Sequence, residues 1–252
     1  MLNIVIPMAG AGSRFSKAGY VDPKPLIKIH GVPMIRVVIE NLRPKCEHRF
    51  IFIVQREHAS KYALQEKLKR WASGSIVIEI DGVTEGAACT VLAAKEYICN
   101  SSPLMIANSD QYVDCDIDDY LSRIDSEGLD GLIMTMSADD PKWSYVGFNA
   151  NGSVSRVVEK EVISDEATVG IYNFRHGEEF VRAAEAMILN NERVNGEFYV
   201  APAYDKIISG DKKVGVYNIG SEADGMYGLG IPADLDIFLA LPLSVKAAQV
   251  QL

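Results

Sequence analysis

Long hydrophobic runs are the first thing this chain does without. No apolar stretch approaches the ~18 residues that a membrane-spanning helix requires. The N-terminus enters a short apolar segment with no charged region ahead of it, so neither a membrane anchor nor a signal peptide is expected. Paired cysteines are lacking too: Cys46, Cys89, Cys99 and Cys115 show no C-x-x-C spacing. That argues against a zinc site or a disulfide framework and for reduced thiols in a cytoplasm. Basic residues are in deficit, 25 Lys and Arg against 34 Asp and Glu for a net charge of −9, which argues against general nucleic-acid binding. No linker, repeat or low-complexity tract interrupts the 252 residues, and they read as one continuous domain.

What is present is core material, with 48% hydrophobic residues, and one concentrated polar device in the first thirty positions. Ile4-Val5-Ile6 reads as a buried strand. A loop of small residues follows, Met8-Ala9-Gly10-Ala11-Gly12-Ser13, and ends on Arg14; Lys24 then stands between Pro23 and Pro25. Glycines let the backbone approach a ligand, and consecutive free N–H groups in such a turn form an anion-binding concavity. Two cations flanking that loop point to a polyphosphate. The prolines stiffen the chain around Lys24, which is hard to explain as an ordinary surface lysine.

Downstream, apolar strands alternate with helices. Pro33 is expected to open a helix. Strands are expected at Arg49–Val54, Ser75–Ile80 and Pro103–Ala107, with a polar helix from Glu57 to about Trp71 and another from Ala87 to Ala94. This alternation predicts a doubly wound α/β sheet. Such sheets bind ligands beyond the carboxyl ends of their strands, where the Gly loop, Glu85-Gly86 and Ser109-Asp110 all fall. Past about residue 115 come a helix at Asp116–Ser126, a strand at Gly131–Ser137, a hairpin from Tyr145 to Glu159, a strand at Ala167–Phe174 and a helix at Gly177–Leu189. A short helix through Ile208, a late strand at Val214–Tyr217 and a last helix at Pro232–Leu241 follow. The apolar tail from Leu241 leaves packing on a neighbouring copy and packing on its own domain equally open.

The Gly-rich loop is neither of two better-known signatures. Phe15 stands where a dinucleotide fingerprint needs a third small residue, and the Gly-Lys-Ser/Thr of a Walker loop is missing. The composite of Gly10-x-Gly12-x-Arg14 with Pro23-Lys24-Pro25-Leu26 instead resembles the sugar-phosphate nucleotidyltransferases, the nucleoside-diphosphate-sugar pyrophosphorylase family. The likeness extends through Ser109-Asp110, Tyr145-Val146-Gly147, Val158-Glu159-Lys160, Gly170-Ile171-Tyr172, Gly196-Glu197-Phe198-Tyr199 and Gly230-Ile-Pro-Ala-Asp-Leu235.

The resemblance implies a Rossmann-like fold with a mixed sheet, a nucleotide-binding half at about 1–115, and an acceptor-binding half at about 116–240 that carries a small β subdomain. It implies transfer of a nucleoside monophosphate from a nucleoside triphosphate to a phosphorylated small molecule, with release of pyrophosphate and dependence on Mg²⁺. On it, Met8 to Arg14, Lys24, Glu85, Gly86 and Ser109 would bind the nucleotide. Arg14 would meet the leaving phosphates, Lys24 the α-phosphate, and Asp110 the metal. Tyr145, Gly147, Glu159, Lys160, Gly170 and Tyr172 would line the acceptor site. A short chain of this type is similar to cytidylyl- and thymidylyltransferases of surface-polysaccharide pathways, which makes a pyrimidine triphosphate and a sugar 1-phosphate the expected substrates. Phosphocholine- or phosphoglutamine-like acceptors stay open. No hexapeptide-repeat tail of the acetyltransferase-fused relatives is present.

One departure stands out. The family's second metal-binding Asp, two residues before the closing glycine, is here Gly228, leaving Asp224 or Asp234 as substitutes. A glycosyltransferase reading would want a second acid where Gln111 stands. A non-catalytic nucleotide-binding protein is the remaining alternative. The sequence leaves self-association open.

Overall fold

The computed structural model describes residues 1–250. The expected first strand is β1 (Leu2–Pro7), followed by a one-turn helix α1 (Ser13–Lys17) and a 3₁₀ turn at Lys24–Leu26. The short hairpin β2 (Lys28–Ile29) and β3 (Val32–Pro33) leads into α2 (Met34–Asn41). Pro33 thus flanks that helix from the strand side. Next come β4 (His48–Gln55), α3 (Arg56–Tyr62), α4 (Leu64–Trp71), β5 (Ile76–Ile80), α5 (Ala87–Leu92), α6 (Lys95–Ile98), β6 (Leu104–Ala107) and β7 (Gln111–Val113). The second half contains α7 (Ile117–Ser126), β8 (Gly131–Ser137), β9 (Ser144–Phe148), β10 (Val154–Glu159), β11 (Glu166–Phe174), α8 (Gly177–Leu189), α9 (Ala203–Ile208), β12 (Val214–Glu222), β13 (Gly225–Gly228), α10 (Pro232–Leu239) and α11 (Pro242–Ala247).

One mixed sheet of eleven strands runs through both halves in the order β5-β4-β1-β6-β11-β8-β12-β13-β7, with β9 paired to β11 and β10 to β9. The first four strands of that order are mutually parallel, and β11 runs against both of its neighbours β6 and β8. Parallel strands covered on both faces must be apolar throughout, and β1 shows how. Ile4 and Ile6 join the cluster on one face with Phe50 and Phe52, whereas Val5 joins Ile51, Ile53 and Ile106 on the other. Side chains alternate across a strand, so a continuous apolar run feeds two cores.

A third, smaller cluster matters more for the site. Phe15 from α1, Ile27, Met34 and Val37 pack with Leu229, Leu235 and Phe238. This cluster clamps the Gly-rich loop to the segment that closes the chain. The tail belongs to it: Leu243, Ala247 and Ala248 pack there, Ser244 is buried, and His30 Nε2 lies 2.8 Å from Ser244 Oγ. Through Ala248 the tail therefore packs on its own domain; Gln251 and Leu252 lie outside the described residues.

The single polar helix expected from Glu57 to Trp71 is two helices, broken at Ala63, whose φ of 50° and ψ of 44° are left-handed. Its buried side chains are Ala59, Leu64 and Leu68. Five residues on one unbroken helix turn the chain about 140° off the starting face, so Ala59 and Leu64 can both meet the sheet only if the helix is interrupted. The short strands β7 and β13 carry no periodic pattern of their own and pair with each other across Tyr112 and Tyr227. All four cysteines are free, and no helix among the described residues is long and apolar enough to cross a membrane.

Candidate active site

Beyond β1 the chain turns under tight control. Met8 N–H donates to Ile53 O at 2.9 Å, and the Gln55 carboxamide donates to Ala9 O at 2.6 Å. Gly12 has φ of +60° with the Lys24 side chain close by, a conformation that penalises any Cβ. Phe15 is buried and anchors the end of the loop, edge-on to Tyr20 at 5.1 Å. The 3₁₀ turn, closed by Leu26 N–H donating to Pro23 O at 2.8 Å, then aims Lys24 across the sheet edge. Its Nζ meets Asp110 Oδ2 at 2.8 Å with both side chains largely buried. Residues 86 apart in sequence are thereby joined at one point.

Three cavities adjoin one another here, sharing Asn108. The first, about 340 Å³, is lined by Met8, Ala9, Gly10, Lys24, Thr84, Gly86, Ser109 and Asp110 among others. The second, about 720 Å³, carries Arg14, Asp110, Lys142, Glu159, Lys160 and Asp234. The third, about 260 Å³, is walled by Trp143, Ser144, Glu159, Gly170, Tyr172 and Tyr199. Asn108 borders all three, and Asp110 borders the first two. Arg14 faces the second cavity, so the two loop cations address different compartments.

Several expected residues stand elsewhere. Tyr145 is fully buried in the core, and its hydroxyl donates to Asp140 O at 2.8 Å; it supports the wall made by its neighbours Trp143 and Ser144. Gly147 sits under Arg156 and Ile163 and borders none of the three cavities. Glu85 points outward to Arg193, with Nη2 and Oε1 3.1 Å apart. Ala11, Gly12 and Ser13 shape the loop without lining a cavity. Gly86 does line the first cavity, but packing alone would demand a glycine there: its φ is +129°, and a Cβ would stand 2.6 Å from Phe198 N.

Glu159 and Lys160 have distinct surroundings. Burial pushes the Glu159 carboxyl above the usual carboxylate range, although the Ser144 hydroxyl donates to it. Lys160 has φ of +59° and donates to the Tyr199 hydroxyl at 2.8 Å, a bond that raises its pKa. Tyr172 is buried, which pushes its phenol up, and its hydroxyl lies 2.9 Å from Thr168 Oγ1.

The carboxylates decide whether a divalent cation fits. Among the described residues no group of three or more His, Cys, Asp or Glu side chains is arranged to hold a metal. Two carboxylates, Asp110 and Asp234, border the second cavity. A Cβ at Gly230 would stand 2.6 Å from Asp110 Oδ2, and one at Gly228 would stand 3.2 Å from Asp234 Oδ2. The space into which a side chain at 228 would grow is thus taken by the Asp234 carboxyl, raised in pKa by burial and by Glu222 against the opposing pull of Lys142 and Arg14. Asp224 lies exposed in the turn between β12 and β13 and borders none of these cavities. One or two carboxylates completed by ligand phosphates is how Mg²⁺ is commonly held, and the residues bordering this cavity include two, Asp110 and Asp234.

Sequence reasoning passed over Asn108, Gln111, Lys142, Trp143 and Tyr199, all of which border the second cavity. Tyr199 closes a segment already singled out and the others lie beside one, and that placement was the available signal.

Comparison with known proteins places this geometry. The solved nucleoside-diphosphate-sugar pyrophosphorylase of Vibrio cholerae RC9 superposes with a TM-score of 0.78 at 26% identity, covering 94% of this chain and 100% of that one. The inositol-1-phosphate CTP transferase of T. maritima shares the fold, with a TM-score of 0.72 at 17% identity over 99% of this chain and 98% of that one. In sequence, the bifunctional protein GlmU of Methanococcus vannielii is 25% identical over 226 residues, 85% of this chain and 50% of that protein. The mannose-1-phosphate guanylyltransferase catalytic subunit beta of Danio rerio is 26% identical over 180 residues, 69% and 49% respectively. The chain spans about half the length of these curated relatives. Residues 4–197, from β1 to the loop that borders Gly86, match the nucleotidyl transferase family model, and the chain belongs to that family.

Proposed function

We propose that this protein transfers a nucleoside monophosphate from a nucleoside triphosphate to a phosphorylated small molecule. A phosphate oxygen of the acceptor attacks the α-phosphorus in line, the bond from that phosphorus to the β-phosphate oxygen breaks, and pyrophosphate leaves. The observation that carries this reading is the Lys24–Asp110 contact of 2.8 Å at the junction of two cavities. It puts a cation and a carboxylate where a phosphoryl group passing between two ligands would sit.

Phosphoryl transfer asks the protein mainly for positioning and charge neutralisation. Lys24 would stand by the α-phosphate, its position fixed by the proline-bound turn. Arg14 would meet the departing phosphates from the second cavity. Lys160 would contact the acceptor phosphate, and Glu159, Gly170 and Tyr172 would border the acceptor body. No covalent enzyme intermediate is needed, because the attacking oxygen is already anionic. Asp110 and Asp234 would hold a divalent cation, Mg²⁺ by preference, which when bound would draw charge from the phosphate oxygens.

The proposed donor is a pyrimidine triphosphate, its base near Gly86, Thr84 and Thr90. The proposed acceptor is a sugar 1-phosphate. A choline-like head would want open aromatic faces. Here Lys142 Nζ already lies 4.9 Å from the centre of the Trp143 ring, and Lys160 Nζ 4.9 Å from that of Tyr199. Those cations would repel a quaternary ammonium and suit an anionic, hydroxyl-rich ligand. The test offers CTP, UTP, dTTP, ATP and GTP with Mg²⁺ against a panel of phosphorylated acceptors and monitors pyrophosphate. Pyrophosphate should appear for at least one pair, and its absence from every combination would sink the reading.

A further inference from the structure

Two buried polar atoms of residues bordering the second cavity have no hydrogen-bond partner, Trp143 Nε1 and Gln111 Nε2. Gln111, at the start of β7, borders the second cavity and is only 5% exposed, yet its Nε2 makes no hydrogen bond. An amide N–H removed from water and left unpaired is costly, and such groups are uncommon in folded proteins. Its surroundings are arranged around it. Gln111 Oε1 accepts from Asn108 Nδ2 at 3.4 Å, which orients the carboxamide so that Nε2 is its free end. At that length the bond is weak, and the amide can turn toward a better acceptor. Gly170, with φ of +83°, makes the room: a Cβ there would overlap the Asn108 carboxamide and stand 3.2 Å from Gln111 Oε1. The backbone of Gln111 pairs with Gly228, which presents no side chain.

The same cavity already supplies Arg14, Lys142 and Lys160 for phosphate oxygens. A neutral donor beside them matches a neutral oxygen. We propose that Gln111 reads a hydroxyl group on the body of the acceptor, its Nε2–H donating to that oxygen. This rests on the transferase reading above. It makes Gln111 a specificity-determining residue for one hydroxyl of a polyhydroxylated phosphate.

The test is a calorimetric titration of sugar phosphates and their single-deoxy analogues, with a non-hydrolysable nucleoside triphosphate analogue present, into the wild type and into Gln111→Leu and Gln111→Glu. Pyrophosphate release is followed in parallel. Losing one hydrogen bond to a buried donor should weaken acceptor binding about 10- to 100-fold. The deoxy analogue lacking the recognised hydroxyl should bind the wild type and Gln111→Leu equally. Nucleotide affinity should stay at the wild-type value. Acceptor affinity unchanged in Gln111→Leu, or a loss of equal size for every deoxy analogue, would overturn the proposal, as would failure of every sugar phosphate to bind the wild type. Absence of pyrophosphate overturns the transferase reading instead, and the titration still judges Gln111.

Discussion

At one end of the cleft a single stretch, Met8 to Leu26, carries its own loop, both cations and the prolines that aim the second of them. At the other end nothing is contiguous. Asp110 comes from the β6–β7 turn, Gly228 from the end of β13, Gly230 from the segment after it, and Asp234 from α10. They meet because Leu229 N–H donates to Asp110 O at 2.8 Å and because Phe238 and Leu235 pack against Phe15. A function held in one stretch survives in sequence as a pattern with fixed spacing. One assembled from several elements can move a carboxylate from one backbone position to another, provided its oxygens arrive in the same place.

The sharpest break of this comparison is at the donor end. Lys24→Ala should lower turnover by about 100-fold or more, the size expected when a charge acting on the transition state is lost. Steady-state pyrophosphate release measures it, and unchanged turnover would remove Lys24 from the mechanism. The closing end predicts exchange. Asp234→Ala should weaken Mn²⁺ binding, read by electron paramagnetic resonance, by at least about 10-fold, the lower end of what even a metal-orienting partner costs. Adding Gly228→Asp to that variant should restore binding, since the new side chain enters the space that Asp234 leaves. Full Mn²⁺ affinity in Asp234→Ala would show that Asp110 serves alone.

Smaller effects test the clamp between the ends. Ser244→Ala leaves His30 Nε2 without its partner and should cost about 1 kcal/mol in denaturant unfolding; no change would mean that the tail adds nothing to the clamp. The smallest effect belongs to Glu159. Its folded pKa lies above the unfolded value near 4.5, so the stability it contributes is full below that value and is lost as pH rises through the folded pKa. Glu159→Gln should therefore gain melting temperature on the wild type between about pH 4 and 7. A constant difference across that range would contradict the shift.

Legibility followed the same divide. The Gly-rich loop, Lys24 and the strands β1, β4, β8 and β10 were readable because apolar runs and proline or glycine spacing are local properties. Tyr145 misled: its motif position borders the acceptor wall, but alternation along β9 turns its ring into the core. Gln111, Trp143 and Tyr199 stand in or beside segments that the sequence singles out, but nothing there shows that β7, β9 and the loop after α8 enclose one cavity. The break at Ala63 was hidden because helix propensity is indifferent to which face must meet the sheet.

By itself, then, the sequence determined the alternation of strands and helices, the glycine-rich loop and the cation held between two prolines, all of which depend on neighbours a few residues apart. The tertiary structure decided that Lys24 meets Asp110, that Asp234 rather than Asp224 lies beside Gly228, and that Gln111, beside the second cavity, keeps an unpaired N–H. Those outcomes depend on where separate elements stop after packing, and sequence spacing does not encode a distance through the core.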